Sequence, residues 1–286
     1  MGLVGNLAFV FLAGLVTDLA TGLGALPFFY TDEISDRWNV ALWGLASGIM
    51  VSASLFGLFN EGLAYSTGLP LLLVGGIVAG AVLVEVSDRV LDRIDVGGDD
   101  VEADGGGHAH DERPLSAEAF ATADLKKLTL ILGILTIHSF PEGVAVGVSF
   151  AELGLEGGIP VLGFSVPLLA VFMTVAISIH NVPEGTAIAI PMRAMGLSNW
   201  RMVGAAVFSS FPQPVGAVIA FVFVRWAQSF LPFGFGFAAG AMVYLVATEF
   251  VPEALETGAD LPGGGRRVLV VGFAAGVAVM LPLLFV

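Results

Sequence analysis

Apolar residues fill this chain in long blocks, separated by short polar turns. Eight blocks stand out, at roughly 3–29, 41–64, 70–91, 124–150, 160–192, 201–227, 231–257 and 267–286. A helix needs about 20 apolar residues to cross the hydrocarbon of a bilayer, so each block is expected to be one crossing. Several are longer than that, which predicts tilt, kinks or protruding ends. One connection is long, about 92–123, and is rich in Gly and Asp. The others are short, so helices adjacent in sequence should often be antiparallel neighbours. The pattern therefore predicts an all-α polytopic membrane protein, with eight transmembrane helices in a bundle forming a single transmembrane domain over residues 1–286. The first block begins at Leu3 and is too long for a cleaved signal peptide.

Composition supports the membrane reading. The chain is 56% hydrophobic and 13% charged, where soluble domains carry about 25% charge. Its 38 glycines also fit, because Gly is commoner in transmembrane helices than in soluble ones. There is no cysteine, so disulfides and thiolate metal ligands are excluded. A net charge of −14 gives no reason to expect nucleic acid. Much of the acidity lies between Asp88 and Glu112, in Asp92, Asp95, Asp99, Asp100, Glu102, Asp104 and Asp111. That stretch reads as a solvated linker.

Lysine and arginine set the expected orientation. Arg37, Arg89, Arg93, Arg113, Lys126, Lys127, Arg193, Arg201, Arg266 and Arg267 flank the connections after the first, third, fifth and seventh blocks. Only Arg225 falls on the opposite side. The long connection is therefore expected in the cytoplasm and both termini outside, in a multi-pass protein of the cell membrane.

Two heptapeptides carry the candidate chemistry. IHSFPEG spans Ile137–Gly143 and IHNVPEG spans Ile179–Gly185, 42 residues apart. His138 lies about 14 residues into the fourth block and His180 about 20 into the fifth, both near mid-membrane. An ionisable group there costs at least about 2.5 kcal/mol, so it is usually functional or paired. His138 and Glu142 are i,i+4, as are His180 and Glu184, so each pair shares one helix face. Two such faces opposed would gather two imidazoles and two carboxylates. That N2O2 set suits a divalent transition metal, and two carboxylates neutralise its charge. Pro141 and Pro183 cannot donate to the carbonyls of Ile137 and Ile179, and bent helices with free carbonyls are how transporters build cation sites. The alternative is a pair of His–Glu hydrogen bonds that only hold two helices together, and two matched copies at one depth argue against it.

HSFPEG followed by HNVPEG resembles the fourth and fifth helices of the ZIP (Zrt/Irt-like) family of divalent-metal transporters. TGLGALPFF in the first block, SSFPQPVGA in the sixth and VATEFVPEA in the seventh also look like segments of that family. The resemblance covers nearly the whole chain outside the long connection. It implies a first metal position at His138, Glu142, His180 and Glu184, and in many members an adjacent second one. Here the residues of that second position read Ser139, Asn181 and Gln213, with Ser139 where Asn is usual and Gln213 where Glu is usual. A second ion would leave about two uncompensated positive charges in low dielectric, so one strong site and a weak or absent second are expected. Asn181 and Gln213 are left with two roles: donating a carbonyl oxygen, or holding a ligand glutamate in place.

Other polar residues sit in or at the ends of the blocks: Asp18, Asn60, Glu61, Glu85, Glu249 and Glu253. Asp18, Glu61, Glu249 and Glu253, together with the thioether of Met50, are candidates for an ion path. For each the alternative is ordinary interhelical bonding or core filling. His108 and His110 in the long connection are candidates for weak metal capture, and a plain solvated loop is equally compatible.

The function implied is import of a divalent ion toward the cytoplasm, Zn²⁺ foremost, with Cd²⁺, Fe²⁺ and Mn²⁺ left open. The ion is cargo rather than cofactor, and the other expected partners are the lipid bilayer and, conceivably, a second copy in a homodimer. No GxxxxGK[ST] is present, so no ATP drive is expected within the chain. HExxH is also absent, which disfavours an intramembrane zinc hydrolase and the enzyme class with it. A metal-selective channel with the same site stays open.

Overall fold

The computed structural model describes residues 2–93, 133, 136–155 and 158–281. His108 and His110 lie outside the described residues, as does nearly all of the 92–123 connection. Eight helical elements follow one another among the described residues. α1 is Leu3–Leu23 and ends in a 3-10 turn at Leu26–Phe29. α2 covers Asp36–Ala64, with Ala53–Phe59 wound to the wider π pattern. α3 is Leu71–Arg93, and α4 covers 136–149. α5 is Leu168–Ala194 and keeps Pro183 and Pro191 inside it. α6 spans Asn199–Trp226 and breaks between Ser210 and Pro212. α7 spans Gln228–Thr257, with a second π stretch at Val246–Phe250. α8 is Arg266–Met280.

Among the described residues, α1, α2, α3, α5, α6 and α7 are long and apolar enough to cross a membrane. The described parts of α4 and α8 are shorter. The largest departure from the expected helices is at the fifth block, which was expected to be helical from about residue 160. The chain instead forms a hairpin there: β1 Ile159–Val161 pairs antiparallel with β2 Phe164–Val166. Leu162 and Gly163 both have positive φ at the tight turn, which matches strand twist in two-residue hairpin loops. α5 starts only after Pro167. A short apolar run does not distinguish strand from helix by periodicity, and here the flanking Gly158, Pro160 and Gly163 favour the hairpin.

Small residues divide the bundle into two groups. Gly44 and Gly48 of α2 lie on the backbone of α8, and Gly272 and Gly276 of α8 lie on that of α2. Gly76 and Gly80 of α3 meet α7 in the same way, reciprocated by Gly236 and Gly240. Each of these four is a GxxxG pair, the motif that lets membrane helices touch backbone to backbone. A second set of contacts ties Gly14 of α1 to Pro214 of α6, Gly185 of α5 to Thr21 of α1, and Gly143 and Gly147 of α4 to Gln213 and Ala217 of α6. Among the described residues, no glycine brings the backbone of α1, α4, α5 or α6 against that of α2, α3, α7 or α8. Between the groups, α2 also packs closely against α5, and the glycine contacts there meet side chains. Gly234 of α7, for example, meets Val148 and Val224 side-chain atoms of α4 and α6.

The close contacts set a test. A Cβ on Gly48 would stand 2.1 Å from the Phe273 carbonyl oxygen, whereas a Cβ on Gly75 would meet nothing within 4 Å. Gly48→Val should cost about 1–3 kcal/mol and lower the unfolding midpoint in detergent by several degrees. Gly75→Val should leave it unchanged or slightly raised.

Candidate metal site

The candidate site lies inside the α1, α4, α5, α6 group. α4 supplies Glu142, and one turn earlier His138 and Ser139; α5 supplies His180, Asn181 and Glu184; the second half of α6 opens with Gln213. All seven are buried, none more than 2% exposed. They are so crowded because glycine draws their helices together: a Cβ on Gly143 would stand 2.2 Å from the Gln213 carbonyl oxygen. Only a hydrogen fits there, so α4 and α6 touch at the level of Glu142 and Gln213.

Glu142, His180 and Glu184 each bring a ligand atom within 4.8 Å of the other two. His180 Nε2 is 3.3 Å from Glu142 Oε1 and 3.7 Å from Glu184 Oε1. The Gln213 amide donates to Glu142 Oε2 at 2.5 Å. Asn181 Nδ2 in turn donates to Gln213 Oε1 at 3.0 Å and to the Thr17 carbonyl of α1 at 2.7 Å. Of the two roles left open for these amides, the geometry of Gln213 matches the second, since its amide donates to the Glu142 carboxylate. Ser139 is buried beside them.

His138 stands apart from that group of three. Its Nε2 lies 3.1 Å from Asp88 Oδ1 of α3, so the fourth expected ligand is turned toward the other helix group. Asp88 is a candidate site residue that the sequence reading missed, because it was counted with the acidic connection. Its signal was position: it lies inside the third apolar block, where a lone charge is costly.

Four polar atoms of this cluster are buried without a hydrogen-bond partner: His138 Nδ1, His180 Nδ1, Asn181 Oδ1 and Glu184 Oε1. Buried polar atoms are nearly always satisfied, so a cluster of orphaned N and O atoms is the donor set that a cation would complete. One imidazole and two carboxylates already face each other, and a second imidazole waits one helical turn away. These are hard-to-borderline ligands of the kind that zinc accepts in a four-coordinate shell.

A cavity of about 460 Å³ opens at the end of the bundle that carries the α1–α2, α5–α6 and α7–α8 connections. Ala187, Pro191 and Ala194 of α5 line it, opposite Asp36 and Trp43 of α2 and Glu253 and Glu256 of α7. Those α5 residues continue the stripe of His180 and Glu184 at steps of three and four, so the cavity opens on the face that carries the ligands. Glu249 lies in the π stretch of α7, one turn before Glu253. Met50 is fully buried in the core on α2. Asn60 is exposed and Glu61 half-buried, both in the last turns of α2. Glu85 accepts from Tyr244 and pairs with Arg89, so it is partnered within α3 and α7. Asp18 of α1 is fully buried, with neither oxygen partnered.

The family described as ZIP Zinc transporter matches residues 86–284, the greater part of the chain. The chain belongs to the ZIP family. It is 36% identical over 242 residues to the Arabidopsis thaliana protein At3g08650, an alignment that covers 85% of this chain and only 34% of that protein. The zinc transporter GufA of Myxococcus xanthus is 31% identical over 252 residues, 84% of this chain and 88% of GufA. The zinc transporter ZIPB of Bordetella bronchiseptica is 31% identical over 277 residues, 96% of this chain and 80% of ZIPB. This ZIP protein thus spans a third of the first relative and most of the other two.

The amide that holds Glu142 gives a direct test. Gln213→Leu strips Glu142 Oε2 of its donor and leaves a buried carboxylate oxygen unsatisfied. The cost should be on the order of 1–3 kcal/mol, read as a lowered unfolding midpoint of the zinc-free protein.

Proposed function

We propose that this chain is an eight-span ZIP transporter, both termini outside, that carries a divalent transition metal, zinc foremost, toward the cytoplasm. The observation that carries this reading is the buried group of Glu142, His180 and Glu184 with orphaned N and O atoms around it. Two carboxylates match the two charges of the ion. His138 completes the set by turning from Asp88 to the ion, as it stands one turn from Glu142 on the same helix. Release then runs by the reverse turn: His138 returns to Asp88, and the acid-lined cavity leads out past Glu253 and Glu256. The excess of Lys and Arg on that side makes it cytoplasmic.

The two helix groups support alternating access. Ligands on α4 and α5 ride with α1 and α6, and no described glycine locks the backbone of that group to the other. His138 to Asp88 is a contact across that interface, so it is made and broken with the motion. Proton competition for the imidazoles and carboxylates should make uptake fall as the medium is acidified.

Glu184→Ala, in protein that still folds, should reduce zinc uptake into proteoliposomes by more than about 100-fold, since even second-shell losses cost 10–100-fold in affinity. Uptake at the wild-type rate would overturn the assignment. Metal stoichiometry tests the neutral second position. Wild type should hold one intramembrane Zn²⁺ per chain at saturation, and Gln213→Glu, which adds a third carboxylate, should hold an adjacent second ion seen by anomalous scattering.

A further inference from the structure

Asp18 is a buried carboxylate that the zinc site does not use. It lies in the middle of α1, is 0% exposed, and neither of its side-chain oxygens has a hydrogen-bond partner. Its surroundings follow from the register of α1 on α6. Gly14 lies on Pro214, Thr21 donates to the Ser210 hydroxyl at 2.8 Å, and Gly22 lies on Val207. Asp18 is four residues from both glycines, on the same stripe of α1. It therefore faces α6 at the break between Ser210 and Pro212.

That break is rich in oxygen. Ser209 and Ser210 are both buried. The Ser210 carbonyl has no ordinary helical donor, because residue 214 is a proline and carries no N–H. No nitrogen or sulfur ligand belongs to this stretch of either helix. Nor does a basic side chain offset the charge. α1 has none, and Arg201, the nearest along α6, is nine residues from Ser210, about 13 Å along the axis. An ionised carboxylate left alone in such a place is strongly destabilising.

We propose that Asp18 and the oxygens at the α6 break form a second cation site, distinct from the zinc site and selective for a hard monovalent cation of the sodium class. Oxygen-only donors select hard ions over zinc. A single carboxylate balances one positive charge and would leave a divalent ion half compensated. Half-helix ends and unwound carbonyls are the usual means of holding Na⁺ in a membrane bundle. The ion would also clamp α1 to α6 next to Thr17, whose carbonyl accepts from Asn181, so its occupancy bears on the amide pair that holds Glu142.

The test uses the full chain, purified and zinc-free, at constant ionic strength, with NaCl exchanged stepwise for N-methylglucamine chloride. The unfolding midpoint should rise with Na⁺ by several degrees and saturate, as ligand linkage requires, and the rise should vanish in Asp18→Asn. Identical midpoints in the two salts, or a midpoint set by pH with no response to Na⁺, would overturn the proposal, the latter because Asp18 then carries a proton. If Asp18→Asn does not fold, the wild type still decides: a crystal soaked in Tl⁺ as an alkali surrogate should show an anomalous peak beside Asp18. A saturating rise with no peak there would place the ion elsewhere and reject the site.

Discussion

Charge inside a low-dielectric bundle is the constraint from which the rest of this structure follows. Basic side chains stay at the helix ends, so the interior carboxylates must find other partners. Glu85 has Tyr244 and Arg89 near one end. Asp88 has His138. Glu142 has an imidazole and an amide. Glu184 has one oxygen without a hydrogen-bond partner, with His180 3.7 Å from it. Both oxygens of Asp18 and one of Glu184 lack a hydrogen-bond partner, and these buried acids carry the strongest demand for a mobile cation. A bundle built this way does not have to be shaped around zinc in every detail; it has to leave the right acids unpaid at the right depth.

The glycines decide which parts of that charge pattern move together. Backbone contact at Gly48 with α8 or at Gly143 with α6 leaves no room for relative sliding, because the partner atoms would collide with anything larger than hydrogen. The candidate ligands therefore share one body with Asp18, Gln213 and the break in α6. Among the hydrogen bonds that cross to the other body are His138 to Asp88, and Tyr65 of the α2 end to Glu152 just after α4. Both involve an ionisable acid.

Much of this was legible in the sequence. The paired heptapeptides placed His138, Glu142, His180 and Glu184 on matched faces, and the structure brings three of the four within reach of one ion. Long apolar blocks marked the helices because nothing but a helix or a closed barrel satisfies backbone groups in lipid. What was not legible depended on contacts between segments. The hairpin at Ile159–Val166 was hidden in an apolar run that fits either structure. Asp88 looked like the first residue of a solvated linker until α3 was seen beside α4. The break in α6 follows from Pro212 and Pro214, but its meeting with Asp18 depends on how α1 is set on α6, and no local pattern records that.

The amide pair beside Glu142 has a consequence for ancestry. Its hydrogen bonds all point one way: Asn181 gives to Gln213 and to the Thr17 carbonyl, and Gln213 gives to Glu142. An aspartate at 181 would set an acceptor against two acceptors, and a glutamate at 213 would set one against the carboxylate it now supports. Gln213 and the Thr17 carbonyl make an acid hard to place at 181, and Glu142 makes one hard to place at 213. A lineage that has settled on this pair is therefore held there by its own wiring. An acid-rich pocket lies beyond a less stable intermediate, reached only where metal is plentiful enough to fill the gap between like charges.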